Sequence, residues 1–206
     1  MSLTSSSIVQ EVKEKCNSGL ALMGYYYFDF QDPTKQDIRG LLASLLAQLC
    51  AKSDSCYDIL SELYSENDGG SHQPNNDSLT ECLKKMIRLP RQPMIYIIVD
   101  ALDECPNSSG HPKTERDKVL GFFENLLKSN LQNLRICVTS RTEADIRDVL
   151  ERLTSHDVSL HDESGQKTAI LDYINFVFQT DRKLQRYGLE DKRLVINTLS
   201  ANADGM

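Results

Sequence analysis

Apolar and polar positions alternate along this chain in two rhythms, one helical and one strand-like. Ile8, Val9, Val12 and Cys16 share one helical face, and Asn17-Ser18-Gly19 ends it. Leu20 to Phe30 is aromatic and β-prone, and Gln31-Asp32-Pro33 closes it. Thr34-x-x-Asp37 is close to a capping box, and Ile38, Leu41, Leu42, Leu45, Leu46 and Leu49 follow as a helical stripe. That stripe could form a zipper, but it reads better as a face packed on a sheet. Ile59, Leu60 and Leu63 mark another helix, and Glu66 to Ser78 is polar with Gly69-Gly70 and Pro74, a solvated loop. Leu79, Leu83, Met86 and Ile87 predict a helix leading into a strand at 94–100. Beyond it, Thr114-x-x-Asp117 caps a helix through Val119, Leu120, Phe123, Leu126 and Leu127. A buried-type strand covers 134–141, and Thr142-x-x-Asp145 caps a helix through Ile146, Val149, Leu150 and Leu153. A short strand at 157–160 and helices near 166–179 and 191–201 complete the pattern. There is no internal repeat. Helix–strand alternation of this kind predicts an α/β fold with a parallel, doubly wound sheet.

Two of these strands end in chemistry. Met94-Ile95-Tyr96-Ile97-Ile98-Val99 is bounded by Pro93, rich in β-branched residues, and runs into Asp100, Asp103 and Glu104. A buried parallel strand leaves such acids at its C-terminal end, where ligands of open α/β sheets sit. Four apolar residues followed by Asp is also how Mg²⁺ is offered a carboxylate in the Walker B arrangement. A buried strand running into an acidic surface loop fits the same residues. The strand at 134–141 ends in Ser140-Arg141. If the two strands are neighbours, that cation lies beside the acids, as a triphosphate site requires. A structural Arg–Asp ion pair is the plainer alternative.

Composition narrows the classes. The 206 residues suffice for one good-sized domain, and 40% apolar with 26% charged residues is ordinary for a globular chain. A net charge of −7 and a pI near 5.1 speak against a phosphate-tracking nucleic-acid binder. The six cysteines show no CxxC and no Cys/His ligand spacing, which fits a reducing, cytoplasmic compartment. No apolar run approaches a membrane span, and the N-terminus lacks the regions of a secretion signal.

Ile97-Ile98-Val99-Asp100-Ala101-Leu102-Asp103-Glu104-Cys105 resembles the Walker B block of NACHT-domain NTPases, nearest to the nephrocystin-type NACHT of fungal NOD-like receptor proteins. Tyr26-Tyr27-Phe28-Asp29-Phe30, the sensor 1-like Val138-Thr139-Ser140-Arg141 and Ala203-Asp204-Gly205-Met206 agree in the same order. The resemblance implies a three-layer P-loop NTPase-type parallel sheet of order 5-1-4-3-2, incomplete because the central first strand and the Walker A loop are missing. It implies a NACHT core over 1–162 and the start of the following helical region over 163–206. By that resemblance Asp100 would hold Mg²⁺, and Asp103 and Glu104 would position or activate water. Arg141 would report the γ-phosphate. Ser2 falls on the Mg²⁺-binding Ser/Thr, with Met1 where the P-loop Lys should be. No G-x-x-x-x-G-K-[ST] run occurs anywhere, so the chain is expected to begin one residue too late for the phosphate cradle and to stop part-way through its last helix. Thr142 replaces the usual Pro. Leu160-His161-Asp162 resembles a Met-His-Asp motif that belongs further downstream in related switches, and His161 reads as a loop residue.

Two functions follow. The first is a fragment of a NACHT-type signal-transduction NTPase, a nucleotide-dependent switch and oligomerisation module. The family uses Mg²⁺ with ATP or GTP; this chain is expected to bind neither well and to turn over little. The second is a non-catalytic interaction or scaffold remnant. Either way protein partners or self-association are expected, with no nucleic acid and no membrane. An in-frame phosphate loop upstream of Met1 would separate the two.

Overall fold

Helix α1 (Leu3–Asn17) leads into strand β1 (Ala21–Tyr27) in the computed structural model, which describes residues 3–107, 113–158, 174–178, 180, 184–186 and 188–202. Helices α2 (Ile38–Cys50), α3 (Asp54–Glu66) and α4 (Asn76–Ile87) separate β1 from β2 (Met94–Asp100). Helix α5 (Glu115–Lys128), strand β3 (Leu134–Val138) and helix α6 (Ala144–Leu150) follow. The fold is α/β, and its sheet is parallel in the order β1-β2-β3 with β2 central. The chain divides into two compact units, Met1–Thr154 and Ser155–Met206. The second carries helical residues 174–178 and the helix Leu189–Asn202.

Side-chain alternation sorts the sheet into two faces. Ile95, Ile97 and Val99 join Tyr26, Leu134 and the apolar stripes of α2, α4 and α5 in the main core. The intervening Ile98 packs instead with Val9 and Val12 of α1, alongside half-buried Met23, Tyr96 and Cys137. The predicted stripe of α2 is almost wholly inaccessible: Leu41, Leu42, Leu45 and Leu49 are all at 0%. It packs on β1 and α4, so the stripe is a sheet-facing surface and not a zipper. Buried Lys84 of α4 reaches across to Asn125 of α5, which satisfies its ammonium inside the helical layer.

Several boundaries differ from the sequence expectation. β1 stops at Tyr27, because Asp29 and Asp32 already bind turn amides of Gln31 and Thr34. Asp37 does not complete a capping box with Thr34; it is itself the N-cap of α2, accepting from the Gly40 N–H at 2.7 Å. The polar loop before α4 is shorter than expected, since α3 runs to Glu66 and α4 opens at Asn76. Thr114 and Asp117 do form the predicted box. Thr142 does not cap α6. Its N-cap is Glu143, and the Asp145 carboxylate is taken by Arg116 and Asn107 instead. β3 ends at Val138, and Asp157 and Val158 are not in a strand. Residues 159–160 of that expected strand, 166–173 of the expected helix, His161 and 203–206 lie outside the described residues.

Candidate functional site

The C-terminal ends of the three strands are tied together by backbone hydrogen bonds. Phe28 N–H donates to the Asp100 carbonyl at 3.0 Å, and Thr139 N–H donates to the Val99 carbonyl at 2.9 Å. Just past β2 the chain turns sharply. Ala101 sits in the left-handed region (φ 56°, ψ 49°), and Leu102–Glu104 forms a 3₁₀ turn. Fully buried Leu102 anchors that turn and donates its N–H to the Thr139 carbonyl at 3.0 Å. The turn splits the three acids into different surroundings.

Asp100 is buried, at 4% exposure, and a carboxylate there requires a donor. The Thr139 hydroxyl donates to its Oδ1 at 2.5 Å. The same hydroxyl oxygen accepts the Ala101 N–H at 3.2 Å. Asp103 accepts the backbone N–H of Arg141 at 3.0 Å, and its Oδ2 lies 3.5 Å from the Arg141 Nε. The Asp103 side chain is 11% exposed, whereas that of Arg141 is 84% exposed. Arg141 is thus held at its root and open at its tip, a geometry that can meet an incoming anion. Glu104 points the other way. Its Oε2 accepts the Phe30 N–H at 3.2 Å, beyond the end of β1. The structure therefore brings Asp103 and Arg141 together, places Asp100 against Thr139 one strand-end away, and separates Glu104 from that pair. Ser2 lies outside the described residues.

Two contributors carry no role in the sequence reading. Thr139 stands inside the quoted Val138-Thr139-Ser140-Arg141, and only strand pairing reveals that it faces Asp100. Arg116 is buried in the first turn of α5. It donates to the Cys105 carbonyl through Nε (3.0 Å), to the Asp103 carbonyl through Nη2 (2.6 Å) and to the Asp145 carboxylate through Nη1 (3.2 Å). One guanidinium thus fixes the acidic turn and the start of α6. A signal was available: Arg116 falls on the same helical stripe as Val119, Leu120 and Phe123.

A second cation stands beside these strand ends. Tyr27 is the register partner of Asp100, so both side chains lie on one face. The Lys35 ammonium donates to the Tyr27 hydroxyl, lies 4.1 Å from its ring centroid and 3.2 Å from the Asp32 carboxylate. The Tyr27 hydrogen bond, more than the Asp32 charge, raises the Lys35 pKa, and the Thr34 hydroxyl bound to Asp32 lowers that of the acid. Burial pushes the thiol of Cys105, within the turn, up to about 12.

Among the described residues no three His, Cys, Asp or Glu side chains gather as a metal cage. Mg²⁺ seldom needs one, because it is usually held by one or two carboxylates together with substrate phosphates and water. Asp100 supplies one such carboxylate, with its Oδ1 bound by the Thr139 hydroxyl. No described helix is long and apolar enough to cross a membrane.

No curated protein and no solved structure matches the chain. The family described as nephrocystin 3, N-terminal, matches residues 2–141, from the start of α1 through β1, the acidic turn and β3 to Arg141. That span is over half of the 206 residues and contains every strand end described above, so the chain belongs to the nephrocystin 3 N-terminal family.

Proposed function

We propose that this chain is the core of a NACHT-type nucleotide switch, with β2 as its Walker B strand and β3 as its sensor 1 strand. The observation that carries the reading is the juxtaposition at the ends of adjacent parallel strands: Asp100 against Thr139, and Asp103 against Arg141. Strand ends of open parallel sheets are where ligands bind. In this reading β1, β2 and β3 correspond to strands 2, 3 and 4 of the family's sheet. Asp100 would hold the Mg²⁺ of an ATP or GTP complex, Asp103 would position Arg141 toward the γ-phosphate, and Glu104, which accepts from the Phe30 amide, would have to release it to act on water. The metal would neutralise phosphate charge. Thr139 and Arg116 hold the acids in place.

These 206 residues carry no G-x-x-x-x-G-K-[ST] run. Charge-assisted hydrogen bonds contribute about 1.5–3 kcal/mol each, so a phosphate-loop Lys with a few amides supplies roughly 5–10 kcal/mol. Micromolar binding amounts to about 8 kcal/mol in total. The 206-residue chain alone is therefore expected to bind nucleotide weakly and turn over little.

The test begins by mapping the 5′ end of the transcript and expressing its whole reading frame. Titration calorimetry with ATP–Mg²⁺ and GTP–Mg²⁺ follows, on that protein and on the 206-residue chain. Low-micromolar binding by the full frame that disappears in Asp100→Ala is the expected result. A full frame without a phosphate loop and without binding overturns the switch and leaves the non-catalytic interaction module.

A further inference from the structure

Helices α3 and α4, with Asn75 before α4, line an open surface groove of about 330 Å³. Its floor is apolar, formed by Ile59, Leu63 and Cys82. Glu66, in the last turn of α3, and Asp77, in the first turn of α4, stand at one end of it, with Glu81 one turn further along. Lys85, in the last turn of α4, stands at the other. Glu81 is paired with Lys84 at 2.7 Å, while Glu66 and Asp77 have no ion-pair partner among the described residues.

The helix beside the groove is charged against its own interest. α3 carries Asp54, Asp58, Glu62 and Glu66 and not one Lys or Arg. These acids are spaced i, i+4, where like charges repel, and Glu66 adds negative charge at the helix C-terminus, where the dipole disfavours it. All four are exposed, and so are Tyr57 and Tyr64 on the same helix. Among the described residues no salt bridge offsets this row. An apolar floor whose bordering Glu66 and Asp77 carry no ion pair is complementary to one kind of occupant.

We infer that the α3–α4 groove is a docking site for a basic amphipathic segment of a partner protein. Its apolar side chains would lie on Ile59 and Leu63, and its Lys or Arg residues would face Glu66 and Asp77. This does not depend on the nucleotide reading, because the groove is built from elements other than the strand ends.

The probe is a fluorescein-labelled amphipathic helical peptide with Leu on one face and Lys on the other, with a Glu-for-Lys peptide as control. Anisotropy of the probe against the whole chain should saturate, and the affinity should fall steeply with added salt. The double variant Glu66→Gln/Asp77→Asn should bind at least tenfold more weakly. Glu14→Gln/Asp148→Asn, which changes the net charge equally at exposed positions elsewhere, should bind within twofold of the unmodified chain. NMR titration of the unmodified chain should move the Ile59 and Leu63 methyl resonances first. Equal losses in the two double variants overturn the inference, as do shifts confined to other elements, self-association without peptide binding, or no saturable binding. The NMR titration decides the matter even if a variant misfolds.

Discussion

Thr139 and Arg141 lie two residues apart at the end of β3, yet their side chains do different physical work. The Thr139 hydroxyl serves a buried carboxylate and a backbone amide together. Thr139→Val keeps the shape and removes one hydrogen-bond donor to the buried Asp100 carboxylate. Losing one hydrogen bond to a buried charged group costs about 1.5–3 kcal/mol, so the urea midpoint should drop accordingly at an unchanged m-value. Arg141→Ala removes an exposed pair at 3.5 Å, worth roughly 0–1 kcal/mol, and should barely move the same curve. The opposite ranking, with Arg141 dominating stability, would make the Asp103–Arg141 contact a structural strut and weaken the case for an anion-facing guanidinium.

Helix ends and glycines set the behaviour of whole elements. A Cβ built on Gly40, in the first turn of α2, would lie 2.8 Å from the Thr34 carbonyl oxygen and 2.9 Å from the Tyr26 hydroxyl. Gly121 of α5 has nothing within 4 Å of such a Cβ. Alanine is the better helix former by about 0.8–1 kcal/mol. Gly121→Ala should therefore raise the thermal midpoint and Gly40→Ala lower it, although both replace a helical glycine; calorimetry on the two variants compares them directly. The α5 cap carries a pH signature. Asp117 accepts from the Thr114 backbone N–H and hydroxyl, and those bonds hold its carboxyl below the ordinary value near 3.9. A depressed folded pKa gives stability that is present above the unfolded value and lost as pH falls through the folded one. Stability measured from pH 6 down to pH 3 should thus decline below about pH 4. The decline should be shallower in Asp117→Asn; an unchanged slope would remove Asp117 as a contributor.

At this scale it is also clear which features a sequence exposes. β2 is legible from Met94 to Asp100 because Pro93 blocks its start and the apolar run meets an acid at its end. The stripe of α2 and the Thr114–Asp117 box are legible for the same reason: their partners are a few residues away. The Thr142 box fails because Asp145 is drawn off by Arg116, 29 residues earlier. Likewise the acids announce a site, but the hydroxyl and guanidinium that hold them come from positions 139 and 116, and only the folded chain brings these together. Glu104 belongs to the same lesson. It is adjacent to Asp103 in sequence, and the 3₁₀ turn sends the two carboxylates toward different strands.

For the molecule as a whole, the distribution of its apolar contacts implies a separable folding unit. Among the described residues, both hydrophobic clusters and the three strands of the sheet lie within Met1–Thr154. Residues 1–154 expressed alone should unfold in one cooperative urea transition, with protected amides in β2 and α2 by hydrogen exchange. A broad transition, or a fragment that binds hydrophobic dyes like a loosely packed globule, would show that Ser155–Met206 is needed to complete the core. Within the unit the two faces are unequal. α1 contributes Val9 and Val12 against Ile98, whereas the opposite face meets the stripes of α2, α4 and α5.

The left-handed backbone at Ala101 restricts how this site can vary. A residue there must tolerate φ near +56°, which glycine does freely, asparagine and aspartate do readily, and valine or isoleucine do very poorly. Ala101 stands between the acid that ends β2 and the turn that delivers Asp103 to Arg141. Two kinsmen could therefore share every charged residue of the site and still diverge in what they can do. One with Asp-Gly-Leu-Asp would keep the turn. One with Asp-Val-Leu-Asp would carry the same carboxylates along a straighter path, away from the arginine. The backbone demand at position 101 thus governs the placement of Asp103 as much as the carboxylate itself does.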